Sequence, residues 1–210
     1  MVWLTAGLLV GILGVWGPKA FELPIKSWFK SYWLVALLLI DFIIIGLTVV
    51  LNGNATIALP WLLSLSVLAL VDIKYKSVRV VDLWLSTVFC LPLVHWSTVV
   101  PTLILTLLVV IVLLGLKFAL RKWYGQDALG GADIWLIALI LLGLGGASAL
   151  VAIYIAIILS GLTGLILMLS KGYTRRSYLP FIPFLAFGVL ISIFFSDSIL
   201  TVYFNFITMQ

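Results

Sequence analysis

Residues 99–116 read VVPTLILTLLVVIVLLGL, eighteen consecutive residues without a charged side chain. A helix that crosses the ~30 Å hydrocarbon core of a bilayer needs about 20 predominantly apolar residues. The stretch is therefore apolar enough, and nearly long enough by itself, for a transmembrane helix. It predicts that the chain is an integral membrane protein.

The rest of the chain has the same character. Of its 210 residues, 65% are hydrophobic and 9% are charged, and the mean hydropathy is +1.35. Soluble domains carry about 25% charged residues, so this composition excludes a soluble globular protein. We expect an all-α fold, with residues 1–210 forming a single polytopic transmembrane domain.

Apolar runs and the polar breaks between them predict eight transmembrane helices. They cover approximately residues 2–16, 32–51, 57–71, 83–94, 99–116, 134–143, 147–170 and 181–203. The fourth and the sixth are short for a bilayer of ordinary thickness. Short helices of this kind are tolerated where neighbouring helices cover them.

The basic residues follow the odd-numbered helices. All twelve Lys and Arg lie in the connectors after the first, third, fifth and seventh helices, and none lies in the connectors between. Since Lys and Arg are retained on the cytoplasmic side during insertion, both termini are predicted to lie outside. The net charge of +5 then reflects topology and indicates no nucleic-acid partner.

Metal and disulfide chemistry have few possible ligands in this chain. It contains one cysteine, Cys90, and one histidine, His95. A lone cysteine forms no internal disulfide, and a zinc site needs three or four ligands. We expect neither a metal nor another cofactor.

Two of the seven acidic residues occupy equivalent positions. Asp72 ends the third predicted helix in LALVDIKYK, and Asp133 begins the sixth in ALGGADIWL. Both are expected at the cytoplasmic edge of the bilayer, where ionisable groups are costly and mark function. Two carboxyl groups in a poorly solvated site share a proton, so one can activate a water while the other polarises a carbonyl. The candidate catalytic elements are therefore the segments 57–83 and 125–146.

The residues around the two aspartates leave alternatives open. Gly130 and Gly131 would allow a positive φ and close approach by an extended substrate. Asp133 could instead serve as a helix cap. Asp72 could instead be neutralised by the basic residues of the connector that follows it.

The sequence also predicts roles for three further acidic residues. Asp41 lies mid-helix and is expected to hydrogen-bond a neighbouring helix, or to relay protons or contact a substrate. Asp127, six residues before Asp133, is expected in a solvated loop, and it is the first substitute if Asp133 has only a structural role. Asp82 is expected to cap the fourth predicted helix.

Three segments resemble the prepilin peptidases, or type IV leader peptidases, which are intramembrane aspartyl proteases of the GxGD class. ALVDIKYKSV resembles the family's first-aspartate segment, and DALGGADIWLIALILLGLGG resembles the second, in which GxGD opens a helix. LPFIPFLAFGVLIS resembles the family's PFGPFLALG element, with Pro180, Pro183 and Gly188 at its prolines and glycine. The resemblance extends over residues 32–195.

The chain also departs from the family pattern. GxGD is written GGAD over residues 130–133, so Ala132 takes the third position. Trp135 stands where the family has a lysine, and Ile182 stands at the glycine of PFGPF. The cysteine-rich cytoplasmic region of the bifunctional members is missing, so the resemblance implies no methyltransferase activity.

The resemblance implies an intramembrane aspartyl endopeptidase that cleaves the leader of pilin-like precursors at the cytoplasmic membrane edge. It implies Asp72 and Asp133 as the catalytic pair, without a metal or cofactor. Gly130, Gly131 and Ala132 would form the motif backbone that the substrate approaches. The partners implied are a membrane-embedded precursor and the lipid of a bacterial or archaeal cytoplasmic membrane.

Two other function classes remain open at this level. A small proton-coupled transporter would use Asp41 with Asp72 or Asp133 as proton carriers, and the helix breaks at 143–146 or 180–183. Two of those three acids lie at one membrane edge, and no inverted repeat is present, which favours the protease. A catalytically inactive relative that acts as a scaffold is the other class, because the GxGD motif is altered.

Overall fold

The structure of the protein, a computed structural model, describes residues 57–124, 130–169 and 179–208. These ranges form six α-helices, joined by short connectors and 3₁₀ turns, and contain no strand. The helices are α1 (Leu59–Tyr75), α2 (Val80–Cys90), α3 (Val99–Tyr124), α4 (Gly131–Leu144), α5 (Gly146–Leu169) and α6 (Ile182–Thr208).

The last six predicted helices each correspond to one of these elements, so the all-α prediction is confirmed for the described residues. Some ends differ. The prediction stops α3 at residue 116, the last residue before a charged side chain, yet the helix continues to Tyr124. A backbone hydrogen-bond ladder does not end at a charge, whereas an apolar run does. The predicted helices 2–16 and 32–51 lie outside the described residues.

Three of the helical segments are long and apolar enough to cross a membrane. They are Trp96–Trp123, Gly146–Leu169 and Ile182–Thr208. In the most apolar 18 residues of each segment, only 11%, 11% and 28%, respectively, are buried inside the protein. Helices of this length with apolar, exposed surfaces are suited to contact with lipid rather than with water.

The short helix α4 forms the centre of the described fold. Eight of its 14 residues are buried, and it packs against α2, α3, α5 and α6. At 1.5 Å per residue it is roughly 21 Å long, less than the hydrocarbon thickness. α4 is thus a short helix that its neighbours cover. In the other short helix, α2, Trp84 and Val88 are more than half exposed within the described part of the chain.

Among the described helices, the most extensive contact joins α5 to α6. Ala152 and Ala156 of α5 are fully buried, and Gly188 of α6 lies against their backbone. A Cβ atom on Gly188 would overlap the carbonyl oxygen of Ala152 and lie 3.4 Å from the amide nitrogen of Ala156. The hydroxyl of Ser192 also donates to the carbonyl oxygen of Ser148 at 2.6 Å. Small residues thus bring the two backbones together and fix the position of α6.

Candidate active site

The C-terminal end of α1 provides the first half of the site. Asp72 lies in the last turn of this helix and is 1% exposed. Its Oδ2 accepts a 3.2 Å hydrogen bond from the backbone N–H of Ile182, the first residue of α6. The start of a helix leaves several backbone N–H groups without a partner. The carboxylate of Asp72 accepts a hydrogen bond from one of them. No described side-chain cation forms an ion pair with Asp72.

The start of α6 offers this amide because of its sequence. Pro183 is the second residue of the helix and has no N–H to donate. The N–H of Phe184 is used locally, since it bonds to the carbonyl oxygen of Phe181 at 3.0 Å. The N–H of Ile182 is left to point at a partner from another element, and Asp72 provides it.

The first turn of α4 provides the second half of the site. Asp133 is the third residue of this helix and is 5% exposed. Its Oδ2 accepts a 3.1 Å hydrogen bond from the backbone N–H of Gly130, the residue that precedes the helix. The carboxylate therefore does contribute to capping, in the form in which a third-position acid reaches back to the helix start. This role leaves its remaining lone pairs free for chemistry.

The glycines of the GGAD motif act differently from the prediction. Gly130 has a φ of −68°, and among the described glycines only Gly145 has a positive φ. The expected positive φ is therefore wrong for this motif. Close approach is present, but the approaching group is Asp133 itself, since a Cβ atom on Gly130 would lie 2.8 Å from its Oδ2. A Cβ atom on Gly131 would meet no neighbouring atom within 4 Å.

The two aspartates lie on the wall of one cavity of about 190 Å³. Three chain segments meet there. The lining residues come from the end of α1, the GGAD motif and the start of α6: Asp72, Lys76, Ser77, Val78, Gly130, Gly131, Ala132, Asp133 and Ile182. The structure thus brings together Asp72, Asp133 and the predicted motif backbone, and the cavity is large enough for water beside the carboxyl groups.

Two contributors to the site were not predicted. Ile182 acts through its backbone, so its side-chain type carried no signal. Pro180 and Pro183, which match the prolines of the PFGPFLALG element, lie in the segment that contains Ile182. They did not predict what this segment does. Lys117 of α3, assigned from the sequence only to topology, is half-buried and interacts electrostatically with Asp133.

Asp82 does not cap α2 as predicted. Residue Arg79 takes the N-cap position, without a side-chain cap, and Asp82 follows in the first turn. There its two oxygens accept hydrogen bonds of 2.7 and 2.8 Å from the guanidinium of Arg79. The bidentate geometry that Arg offers a carboxylate explains the difference.

The remaining candidates lie elsewhere. Asp41 and Asp127 are outside the described residues. Cys90 is buried, and its thiol contacts the carbonyl oxygen of Leu139 at 3.3 Å. Within the described ranges, no group of three or more His, Cys, Asp or Glu side chains could hold a metal ion.

The described residues form a helical structure with three segments long and apolar enough to cross a membrane, and with two buried aspartates at a junction of three helix ends. No protein-family model, no curated protein and no solved structure matches the chain. Its function therefore has to be inferred from the chemistry of this cavity.

Proposed function

We propose that the protein is an intramembrane aspartyl endopeptidase of the prepilin-peptidase type. It cleaves the leader of pilin-like precursors at the cytoplasmic edge of a bacterial or archaeal membrane. The observation that carries the proposal is a cavity lined by both Asp72 and Asp133, two nearly inaccessible carboxyl groups from different helices.

The chemistry follows from the charge of such a pair. Two carboxyl groups in a poorly solvated site do not both ionise readily, so together they retain one proton. The ionised group removes a proton from water as the water oxygen attacks the scissile carbonyl carbon. The protonated group donates to the carbonyl oxygen. Collapse of the tetrahedral intermediate breaks the C–N bond, and the amine leaves with a proton from the pair.

Both carboxyl groups are oriented before substrate arrives. The amide of Ile182 holds Asp72, and the amide of Gly130 holds Asp133. Backbone donors on two different helix starts cannot rotate away as side chains do. Such preorganisation is what a proton-transfer pair requires, because misplacement by an ångström lowers the rate steeply.

The proposed topology has eight membrane-spanning helices with both termini outside. The cavity lies where α1 ends and where α4 and α6 begin, so these three ends share one side of the bundle. Lys76, Arg79 and Lys117 lie toward the same side, and basic residues are retained in the cytoplasm. The cavity therefore opens toward the cytoplasmic edge in this topology. A proton-coupled transporter would instead favour acids near the midplane.

The test uses a pilin-like precursor co-expressed with the wild-type chain, with Asp72→Asn or with Asp133→Asn. Asparagine keeps a side-chain oxygen that can accept the N–H of Ile182 or Gly130, but it exchanges no proton at neutral pH. We expect the wild type to shorten the precursor on a gel and both variants to leave it intact at equal membrane levels.

Asp197→Asn is the matched control, because Asp197 is an exposed aspartate of α6 outside the cavity. It should cleave at the wild-type rate. Cleavage that survives either cavity substitution would remove that aspartate from the mechanism. If the wild type leaves every pilin-like precursor intact, the protease proposal is refuted.

A further inference from the structure

Lys76 has an unusual backbone conformation for its residue type. It ends α1 with φ 51° and ψ 28°, and it is the one non-glycine residue with a positive φ in the described ranges. The left-handed region brings Cβ close to the following carbonyl oxygen, so L-residues avoid it. Glycine would stop the helix here without this strain, and it is the usual residue at such a position.

The strained residue lies on the wall of the cavity that holds Asp72 and Asp133. Its side chain is exposed. Within the described part of the chain, its ammonium forms no hydrogen bond or ion pair, whereas the neighbouring Arg79 is engaged by Asp82. Non-glycine residues in sparsely populated conformations concentrate at functional sites, where the surrounding fold maintains the strain.

An ammonium at this place matches a need of the substrate. A peptide bond must leave its helix to be cleaved, and unwinding frees main-chain carbonyl oxygens from their helical partners. At the membrane edge an unpaired carbonyl is costly. A lysine offers three donors and no acceptor on a flexible stem, so it can pair with a carbonyl oxygen but not with a backbone N–H.

We propose that Lys76 is a substrate-binding residue, whose ammonium donates a hydrogen bond to a main-chain carbonyl oxygen of the unwound substrate segment. This inference rests on the proposed protease function. It assigns the left-handed turn after α1 the task of presenting a cation beside the aspartate pair. Lys76 takes no part in proton transfer, so its removal affects binding more than the chemical step.

The test is a set of substitutions assayed with the purified full chain in detergent on a pilin-like precursor. Lys76→Met keeps most of the length of the side chain and the backbone strain but removes the donors. Lys76→Arg keeps charge and donors. Lys76→Gly removes both the side chain and the strain. Lys122→Met is the matched control, because Lys122 is an exposed lysine at the end of α3 outside the cavity.

We expect Lys76→Met to raise KM about ten- to a hundredfold, as for loss of a hydrogen bond from a charged donor, with little change in kcat. Arginine should restore most of the affinity. Lys76→Gly should raise KM as methionine does, yet raise the unfolding midpoint by about 2–4 °C because strain is removed. If Lys76 only ended the helix and did not bind substrate, Lys76→Gly would raise the unfolding midpoint and leave KM unchanged.

An unchanged KM in Lys76→Gly or Lys76→Met, beside an active wild type, overturns this inference and leaves the protease proposal intact. An equal rise of KM in Lys122→Met also overturns it, since the effect would then be one of general charge. A wild-type chain that leaves all pilin-like precursors intact overturns both proposals.

Discussion

Substituting Gly188 by alanine tests the contact that positions α6. The added methyl group would overlap the carbonyl oxygen of Ala152 and lie 3.1 Å from its carbonyl carbon. Both atoms belong to the backbone of α5, so no change of rotamer relieves the clash. The two helices would have to separate locally, and the Ser192–Ser148 hydrogen bond would lengthen.

The expected loss of stability follows from these contacts. Overpacking of a core costs about 1–3 kcal/mol, and a clash with backbone belongs at the upper end. The better helix propensity of alanine offsets about 1 kcal/mol. We therefore expect a net loss of about 2 kcal/mol, which for a chain of this size lowers the unfolding midpoint by about 4–8 °C.

Thermal unfolding in detergent, followed by tryptophan fluorescence, measures this effect. Gly161→Ala is the matched control, because no neighbouring atom lies within 4 Å of its added Cβ. Its midpoint should stay the same or rise. If Gly188→Ala has the same unfolding midpoint as the wild type, the two helix backbones are not in the described contact. The placement of Ile182 beside Asp72 would then lose its support.

Two further changes test the packing around the site. Asp72→Ala should be less stable than Asp72→Asn by about 1 kcal/mol, because alanine leaves the amide of Ile182 without an acceptor; equal midpoints in the same melting assay would refute that hydrogen bond. Gly143→Ala should destabilise the protein, since its Cβ would lie 2.6 Å from Sγ of Cys90. Adding Cys90→Ala should recover part of the loss, and a purely additive double variant would contradict the contact.

The helices and the two aspartates were accessible to sequence reasoning because both depend on local patterns. An apolar run locates a helix, and the alternation of basic connectors predicted Asp72 and Asp133 on the same side of the bundle, where both line one cavity. The distribution of basic residues among the connectors therefore associated two residues from different helices without any knowledge of packing.

The finer geometry depends on contacts that no local pattern encodes. The amide of Ile182 meets Asp72 across a separation of 110 residues, and a backbone donor leaves no trace in the type of side chain. The assignment of Asp82 as a cap failed because the helix begins three residues earlier, where a guanidinium is within reach. The left-handed conformation of Lys76 was equally hidden, since lysine rarely adopts it.

The hydrogen bond between Asp72 and Ile182 also sets an order of assembly. Asp72 emerges early during synthesis, whereas its amide donor begins the last described helix. In a nascent chain that has inserted only α1 to α5, this carboxyl group has no such partner and the third wall of the cavity is missing. The proposed protease would therefore be inactive in such a nascent chain and would gain activity only when α6 enters the membrane.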